Sequence, residues 1–199
     1  MIDRYFILGR DEVPSKLRLG AGESLRWTLV ALPGCSSSLD LEIDLAGPGA
    51  RLDLAGLYLC TSDEKLALNV TVRHSRGYCE SHQLFKGIVG GTARTSFDGL
   101  IYVARDSQKT KAYQECHTVL MSETAVAEAR PQLEIYADDV ECSHGATSGY
   151  LDADQLFYMR SRGVTEAEAK RLQIISFLAP VLERLPEDLR NDIISQCQA

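Results

Sequence analysis

Two residues toward the end of the strand-rich part of the chain are of types that bind metals. Cys142 and His144 are separated by a single serine. On a β-strand, residues two apart project from the same face, with their Cα atoms about 6.5 Å apart. Both side chains could then reach one metal ion, since zinc-like ions bind sulfur at about 2.3 Å and nitrogen at about 2.0 Å. Two ligands make only half of a site, and on spacing alone a buried thiol beside a hydrogen-bonded histidine is the simpler interpretation.

The six cysteines are widely spaced, and no two of them form a Cys-x-x-Cys pair. This excludes a self-contained zinc finger, a thioredoxin-like motif and a ferredoxin cluster. Disulfide scaffolds are typical of short secreted chains. The chain begins with Met1-Ile-Asp-Arg, which carries an acid and lacks the apolar region of a signal peptide. We therefore predict a cytoplasmic protein in which most cysteines are free, buried thiols.

The whole formal charge of −7 arises from residues 121–154, which contain eight acidic residues and one basic residue, Arg130. The window is consistent with a solvated outer face plus acids at a helix start, where the helix dipole favours them. It is also consistent with an electrostatic potential that attracts a cation or a basic partner. On charge alone we favour the solvated face. An acidic chain is a poor candidate for binding nucleic acid.

Length and composition fit an ordinary globular domain with a modest appendage. The chain has 199 residues, of which 45% are hydrophobic. The longest uncharged apolar run, 174–182, has nine residues, and a membrane-spanning helix needs roughly twenty. No phosphate-binding loop, Gly-x-Ser-x-Gly elbow or His-Glu-x-x-His motif occurs. Common hydrolases and nucleotide-binding domains are therefore unsupported.

The elements that must position Cys142 and His144 are short strands. Segments 39–45 and 66–72 alternate strictly between apolar and polar residues, a pattern typical of strands. No helical period separates the strands, which argues against βαβ units. Hairpin signals are nearly absent, and Asp98-Gly99 is the single case. A sandwich, a barrel and a solenoid all remain open on this evidence, although the stacked strands of a solenoid do not need tight hairpins.

The pattern becomes helical after residue 150. Capping-box spacing begins at Asp152 and at Thr165, and Pro186 occupies a position typical of a helix start. These helices carry more apolar residues than three short helices can bury on themselves, which indicates a partner. We expect a β core over residues 1–150 and a small α-helical domain over residues 151–199.

Several longer segments carry a more specific signal, and the most distinctive are residues 130–147 and the helix start that follows them. The full set comprises residues 83–88, 97–103, 108–114, 130–147 and 151–164. In these segments the chain resembles the SufB/SufD family of iron–sulfur cluster assembly proteins. It is most similar to the SufD branch, as a member with a short N-terminal region. The SufB branch flanks the equivalent histidine with glutamates, whereas this chain has Ser143 and Gly145.

The resemblance implies a fold, partners and a site. The fold is a mainly β right-handed parallel β-helix followed by a small C-terminal α-helical domain, with stacked parallel strands expected over residues 36–150. The β-helix pairs with a SufB-like scaffold or with a second copy of itself, and the helical domain docks a SufC-like ABC ATPase. Neither nucleic acid nor a membrane is implied. His144 is the family's functional position, and Cys142 is a second candidate ligand.

We therefore expect a non-enzymatic, SufD-like scaffold subunit. An iron–sulfur cluster or iron would be held transiently at the interface and shared with a partner, with no cofactor permanently bound. Two other functions stay open. One is a polysaccharide-active β-helix enzyme that uses Asp138 and Asp139 with a cation, although such sites need converging carboxylates and only 7% of residues are aromatic. The other is a purely structural interaction module without a metal role.

Overall fold

The structure is a computed structural model that describes residues 2–197. In this range the chain forms eleven strands followed by three helices. The strands are β1 (Ile2–Ile7), β2 (Lys16–Leu19), β3 (Ser24–Ala31), β4 (Ser37–Leu45), β5 (Arg51–Cys60), β6 (Lys65–His74), β7 (Glu80–Val89), β8 (Arg94–Val103), β9 (Thr110–Leu120), β10 (Val126–Ile135) and β11 (Val140–Gly149). The helices are α1 (Ala153–Ser161), α2 (Glu166–Leu182) and α3 (Glu187–Gln196).

The strands form two parallel sheets, and the chain alternates between them. Sheet A has the order β1-β3-β5-β7-β9-β11, and sheet B has the order β2-β4-β6-β8-β10. Each strand pairs in parallel with the strand two positions earlier. One strand from each sheet therefore makes one coil of a parallel β-helix, which confirms the expected fold class. The stacking also includes β1 to β3, before the segment for which parallel strands were expected, and Asp98-Gly99 lies inside β8 rather than in a hairpin.

The main core lies between the two sheets. In β4 and β6 every second residue is buried, because one face of sheet B packs inward and the other faces solvent. Strand β5 differs, since all seven residues from Leu54 to Cys60 are buried. A strand buried on both faces reads as a continuous apolar run. The outer face of sheet A must therefore be covered in these coils.

Helices α2 and α3 provide that cover. Leu178 and Val181 of α2 and Ile193 of α3 are buried in a second apolar cluster with outward-facing residues of sheet A, including Leu57 and Ile88. The expectation that the helices need an external partner to bury their apolar residues is therefore wrong for α2 and α3. The reason is that strands β3, β5 and β7 supply an apolar outer surface.

A partly buried ion pair joins the helical segment to sheet A. The guanidinium of Arg184, just after α2, donates to Asp53 Oδ1 at 2.8 Å and to the Asp53 carbonyl oxygen at 3.0 Å. Arg26 donates to the other oxygen of the same carboxylate at 2.8 Å. The Arg184 side chain is only 13% exposed. Two arginines thus share one carboxylate where the helical segment meets the β-helix.

Glycines make room for aromatic rings in the core. The ring of Phe85 lies over Gly56, and the ring of Tyr58 lies over Gly87, so that a β-carbon at either glycine would overlap the ring. Tyr58 is 3% exposed, and its hydroxyl hydrogen-bonds to Thr118 Oγ1 at 2.6 Å. The close contact with Gly87 and the hydrogen bond to Thr118 therefore fix the position of the Tyr58 side chain.

We expect the substitution Gly87→Ala to lower the free energy of unfolding by about 1–3 kcal/mol, the usual cost of overpacking a core. Gly149→Ala is the matched control, because a β-carbon there meets no atom within 4 Å. Thermal unfolding of the two variants checks this. Equal melting temperatures would show that the core at Tyr58 is not tightly packed.

Buried His74 makes stability depend on pH. Its ring Nε2 lies 2.9 Å from Ser81 Oγ, and burial lowers its pKa from 6.5 to about 4. The unfolded chain binds this proton more readily than the folded chain, so the stabilising contribution is complete above about pH 6.5 and is lost as the pH falls toward 4. The loss amounts to about 3 kcal/mol, since one pKa unit corresponds to about 1.4 kcal/mol.

Urea unfolding between pH 7 and pH 4 tests this contribution. We expect His74→Gln to remove that part of the pH dependence, whereas the exposed His82→Gln retains it. The comparison uses the slope of stability against pH, so a uniform loss of stability in the variant does not obscure the result. An unchanged slope in His74→Gln would contradict the prediction.

Candidate functional site

Cys142 and His144 lie on β11, the last strand of sheet A. Cys142 packs against Ala112 of β9 and against Ile101 and Val103 of β8, so it faces the space between the sheets. Residues two apart on a strand share a face, and His144 is therefore on this inner face as well. Cys142 is half-buried and His144 is exposed. The structure thus brings the two predicted site residues to one face, at the end of the β-helix.

This end of the β-helix is open. Among residues 2–197, β11 pairs only with β9, and β10 pairs only with β8. Both sheets therefore present an unpaired edge, and the inner face of the last coil is uncovered. His144 is exposed for this reason, although the residues at the same position in β3, β5, β7 and β9 are buried.

His144 also differs from the other three histidines in its contacts. His74 hydrogen-bonds to Ser81, His82 to Glu80, and His117 to both Glu115 and Thr147. Within the described part of the chain, the His144 ring alone has no side-chain hydrogen bond. At least one of its nitrogens is therefore available to a ligand, which argues against the interpretation of His144 as a purely structural histidine.

The thiol of Cys142 is less ready to bind a metal. Burial raises its pKa, and a backbone hydrogen bond from Ala112 offsets this only in part. The group is therefore a neutral thiol near pH 7, and it becomes a ligand only if a metal displaces its proton. His144 is the stronger of the two candidates.

The described residues do not complete a metal site on their own. No group of three or more His, Cys, Asp or Glu side chains in residues 2–197 could hold a metal ion. Cys142 and His144 remain half of a site, and their role as ligands stays a prediction. Any further ligand has to come from outside this part of the chain.

The remaining cysteines behave as packing residues. All six are free, and four of them, Cys60, Cys79, Cys116 and Cys197, are buried. Burial raises the pKa of Cys60 to about 12 and that of Cys116 to about 11. Such thiols are unreactive at neutral pH. The prediction of mostly free, buried thiols is confirmed.

Beneath His144 runs a column of polar side chains that sequence reasoning missed. His144 is in register with Gln114 of β9, and Gln114 is in register with Gln83 of β7. Gln114 Nε2 donates to Gln83 Oε1 at 2.9 Å, and both residues are buried inside the β-helix. The sequence does contain an indication of this column, because Gln83, Gln114 and His144 are separated by almost equal intervals of one coil.

Asp138 and Asp139 do not form a converging pair. They lie in the bend between β10 and β11, and both are exposed. Asp139 makes an ion pair with Lys109 of the preceding coil. The arrangement gives no support to a polysaccharide-active site.

Other acids of the negative window are also paired with bases. Glu141 lies 3.0 Å from Lys111 Nζ, and Arg130 lies 2.7 Å from Asp98 and 3.5 Å from Glu128. These pairs run along the outer faces of the last coils, in keeping with the solvated-face interpretation. No helix in residues 2–197 is long and apolar enough to cross a membrane.

Comparison with known proteins gives a consistent result. Residues 14–177 match the family described as SUF system FeS cluster assembly, SufBD core domain. The chain is 39% identical over 153 residues to the iron–sulfur cluster assembly protein SufD of Escherichia coli, covering 76% of this chain and 36% of that protein. It is 36% identical over 150 residues to the chloroplastic protein ABCI7 of Arabidopsis thaliana, covering 74% of this chain and 31% of that one.

A third relative is SufD of Bacillus subtilis, which is 29% identical over 177 residues, covering 88% of this chain and 40% of the relative. The chain therefore spans about a third of the length of these relatives. The match covers strands β2 to β11, including the open end that carries His144, together with α1 and most of α2. The chain belongs to the SufBD core family of the SUF iron–sulfur cluster assembly system.

Proposed function

We propose that the protein is a SufD-like scaffold subunit that holds iron or a nascent iron–sulfur cluster at an interface with a partner. The observation that carries the proposal is the exposed, unpartnered His144 on the inner face of the last coil, two residues from Cys142. Imidazole nitrogen suits iron, and cysteine sulfur suits iron–sulfur clusters. The protein supplies ligands and position rather than catalysis, and the metal is its cargo.

The partner at the open end is a second β-helix, either a SufB-like scaffold or another copy of this chain. Exposed strand edges present unpaired backbone N–H and C=O groups that pair readily with another strand. In the described residues both β10 and β11 have such an edge. Pairing there would bury His144 in the interface, where groups from the partner could complete its metal coordination.

A second partner, a SufC-like ABC ATPase, docks on α1. This helix buries none of its residues, and Phe157 and Tyr158 are 74% and 59% exposed. Exposed large apolar side chains that lie together commonly mark an interaction surface. Helices α2 and α3 are already covered by sheet A, so α1 is the part of the helical segment that remains for a partner.

We expect His144→Ala to lower the iron content of the complex reconstituted with SufB-like and SufC-like partners. The melting temperature of the isolated chain should stay nearly unchanged, because exposed side chains contribute little to stability. His82→Ala is the control, since His82 is exposed on the outer face and contacts Glu80 and Tyr113. Iron analysis and thermal unfolding are the two measurements.

The iron content and the melting temperature of His144→Ala distinguish a metal-holding scaffold from a purely structural module. In a purely structural module the imidazole has no metal role, so the wild-type chain and the His144→Ala variant would load the same amount of iron. Equal iron content would therefore refute the proposal. A large drop in melting temperature with normal iron in the surviving complex would identify His144 as structural.

We expect the double substitution Phe157→Ser and Tyr158→Ser to abolish co-purification with the ATPase while leaving the melting temperature unchanged. Tyr5→Ser is the control, because Tyr5 is 44% exposed on β1 at the other end of sheet A. Deleting residues 152–199 would be a weaker test, since it uncovers the apolar outer face of sheet A. Unchanged ATPase capture by the double variant would contradict docking on α1.

A further inference from the structure

The amides of Gln83 and Gln114 form a short hydrogen-bonded ladder inside the β-helix. Gln114 Nε2 donates to Gln83 Oε1 at 2.9 Å, and Gln114 and Gln83 are 0% and 2% exposed, in that order. Gln114 Oε1 is buried and has no hydrogen-bond partner within the described residues. A buried carbonyl oxygen without a donor destabilises the folded state, because it has lost its hydrogen bonds to water. Gln114 Oε1 therefore lacks a donor that a buried carbonyl oxygen normally has.

The orientation of the two amides leaves one unpaired atom at each end of the ladder, Gln83 Nε2 and Gln114 Oε1. Gln114 uses its N–H group toward Gln83, so its unsatisfied oxygen requires a donor. The next residue in the same column is His144, which is in register with Gln114 on the neighbouring strand. Neighbouring strands are about 4.8 Å apart, a distance that a ring nitrogen and an amide oxygen on facing side chains can bridge. The His144 side chain is exposed, and within the described residues it makes no side-chain hydrogen bond that a rotation toward the amide would break.

The position of the Gln114 amide is fixed by the opposite sheet. Gly99 of β8 faces the amide, and a β-carbon at Gly99 would overlap its atoms. The amide therefore occupies a slot that only glycine leaves open. Because the slot and the ladder hold Gln114 in place, its oxygen is a preorganised acceptor at the base of the last coil.

We propose that Gln114 is a positioning residue for His144, whose ring N–H donates to Gln114 Oε1. The hydrogen bond selects one tautomer and leaves the other ring nitrogen unprotonated at the open end. Metal-bound histidines generally donate their second ring N–H in this way, which fixes the ring and strengthens the ligand. The effect of this hydrogen bond on iron binding rests on the proposed function, whereas the existence of the hydrogen bond does not depend on it.

The hydrogen bond is tested by nuclear magnetic resonance of the ¹⁵N-labelled full chain, with no metal or partner present. His144→Ala identifies the His144 signals by their loss. We expect the wild-type chain to show a His144 ring N–H that is protected from solvent exchange, in a single tautomer. Gln114→Met, of similar size, should lose that protection.

Two further variants separate positioning from packing. Gln114→Glu keeps an acceptor oxygen at the same place and should restore the protected N–H. Gly99→Ala keeps the glutamine but displaces its amide, and should lose the signal as Gln114→Met does. A wild-type chain without a protected His144 N–H would overturn the proposal, even if a variant fails to fold. So would a signal that survives in Gln114→Met.

The consequence for iron is measured separately, by anaerobic titration of Fe²⁺ into the complex reconstituted with SufB-like and SufC-like partners. We expect Gln114→Met to weaken Fe²⁺ binding about 10–100-fold, the usual effect of removing the hydrogen-bond partner of a ligating histidine. If the N–H behaves as expected but His144→Ala leaves iron loading unchanged, the proposed function fails and the hydrogen bond stands. If His144→Ala abolishes iron loading while the His144 N–H of the wild-type chain is unprotected, the hydrogen bond is refuted and the proposed function stands.

Discussion

Parallel hydrogen bonding between each strand and the strand one coil earlier determines the rest of this structure. Strands in such a ladder lie about 4.8 Å apart and keep their register, so residues one coil apart line up in columns. One column is apolar in the early coils, at Trp27 and Leu54, and it turns polar toward the last coil, at Gln114 and His144. The chemistry of the open end is thus a continuation of the same stacking that builds the core.

The helical segment divides the β-helix into two parts. The outer face of sheet A is apolar in the early coils, where Val30 and Leu57 are covered by α2 and α3. In the later coils the same column is polar and carries Lys86, His117 and Thr147, and the Lys86 ammonium still lies over the ring of Phe177 in α2. The helices therefore cover mainly the beginning of the β-helix and leave the inner face and the strand edges of its last coil exposed.

Much of the fold was predictable from local pattern. The alternation in 39–45 and 66–72 correctly identified strands, and the two-residue spacing of Cys142 and His144 correctly placed them on one face. The choice of a solenoid needed the family resemblance, because parallel pairing joins residues about one coil apart and leaves no local signal. The unbroken apolar run in β5 also indicates a strand buried on both faces. We did not draw this conclusion from the sequence.

The site was harder to predict than the fold, for a physical reason. A histidine's partners depend on register, which alternation alone does not specify. His82 and His117 occur in sequence surroundings much like those of His144, yet both have glutamate partners on the outer face. The ladder under His144 depends on which residue of β9 faces β11, and the room for it depends on a glycine in the other sheet. The relation between His144, Gln114 and Gly99 is therefore visible only when the strands are placed in their coils.

The Arg184–Asp53 pair has a consequence for how the protein is made. The two residues are 131 positions apart, and the apolar face around Asp53 is covered only by α2 and α3. Ribosomes add about 5–20 residues each second, so the early coils wait on the order of ten seconds with that face bare. The early coils can therefore reach their final packing only after α2 and α3 have been synthesised.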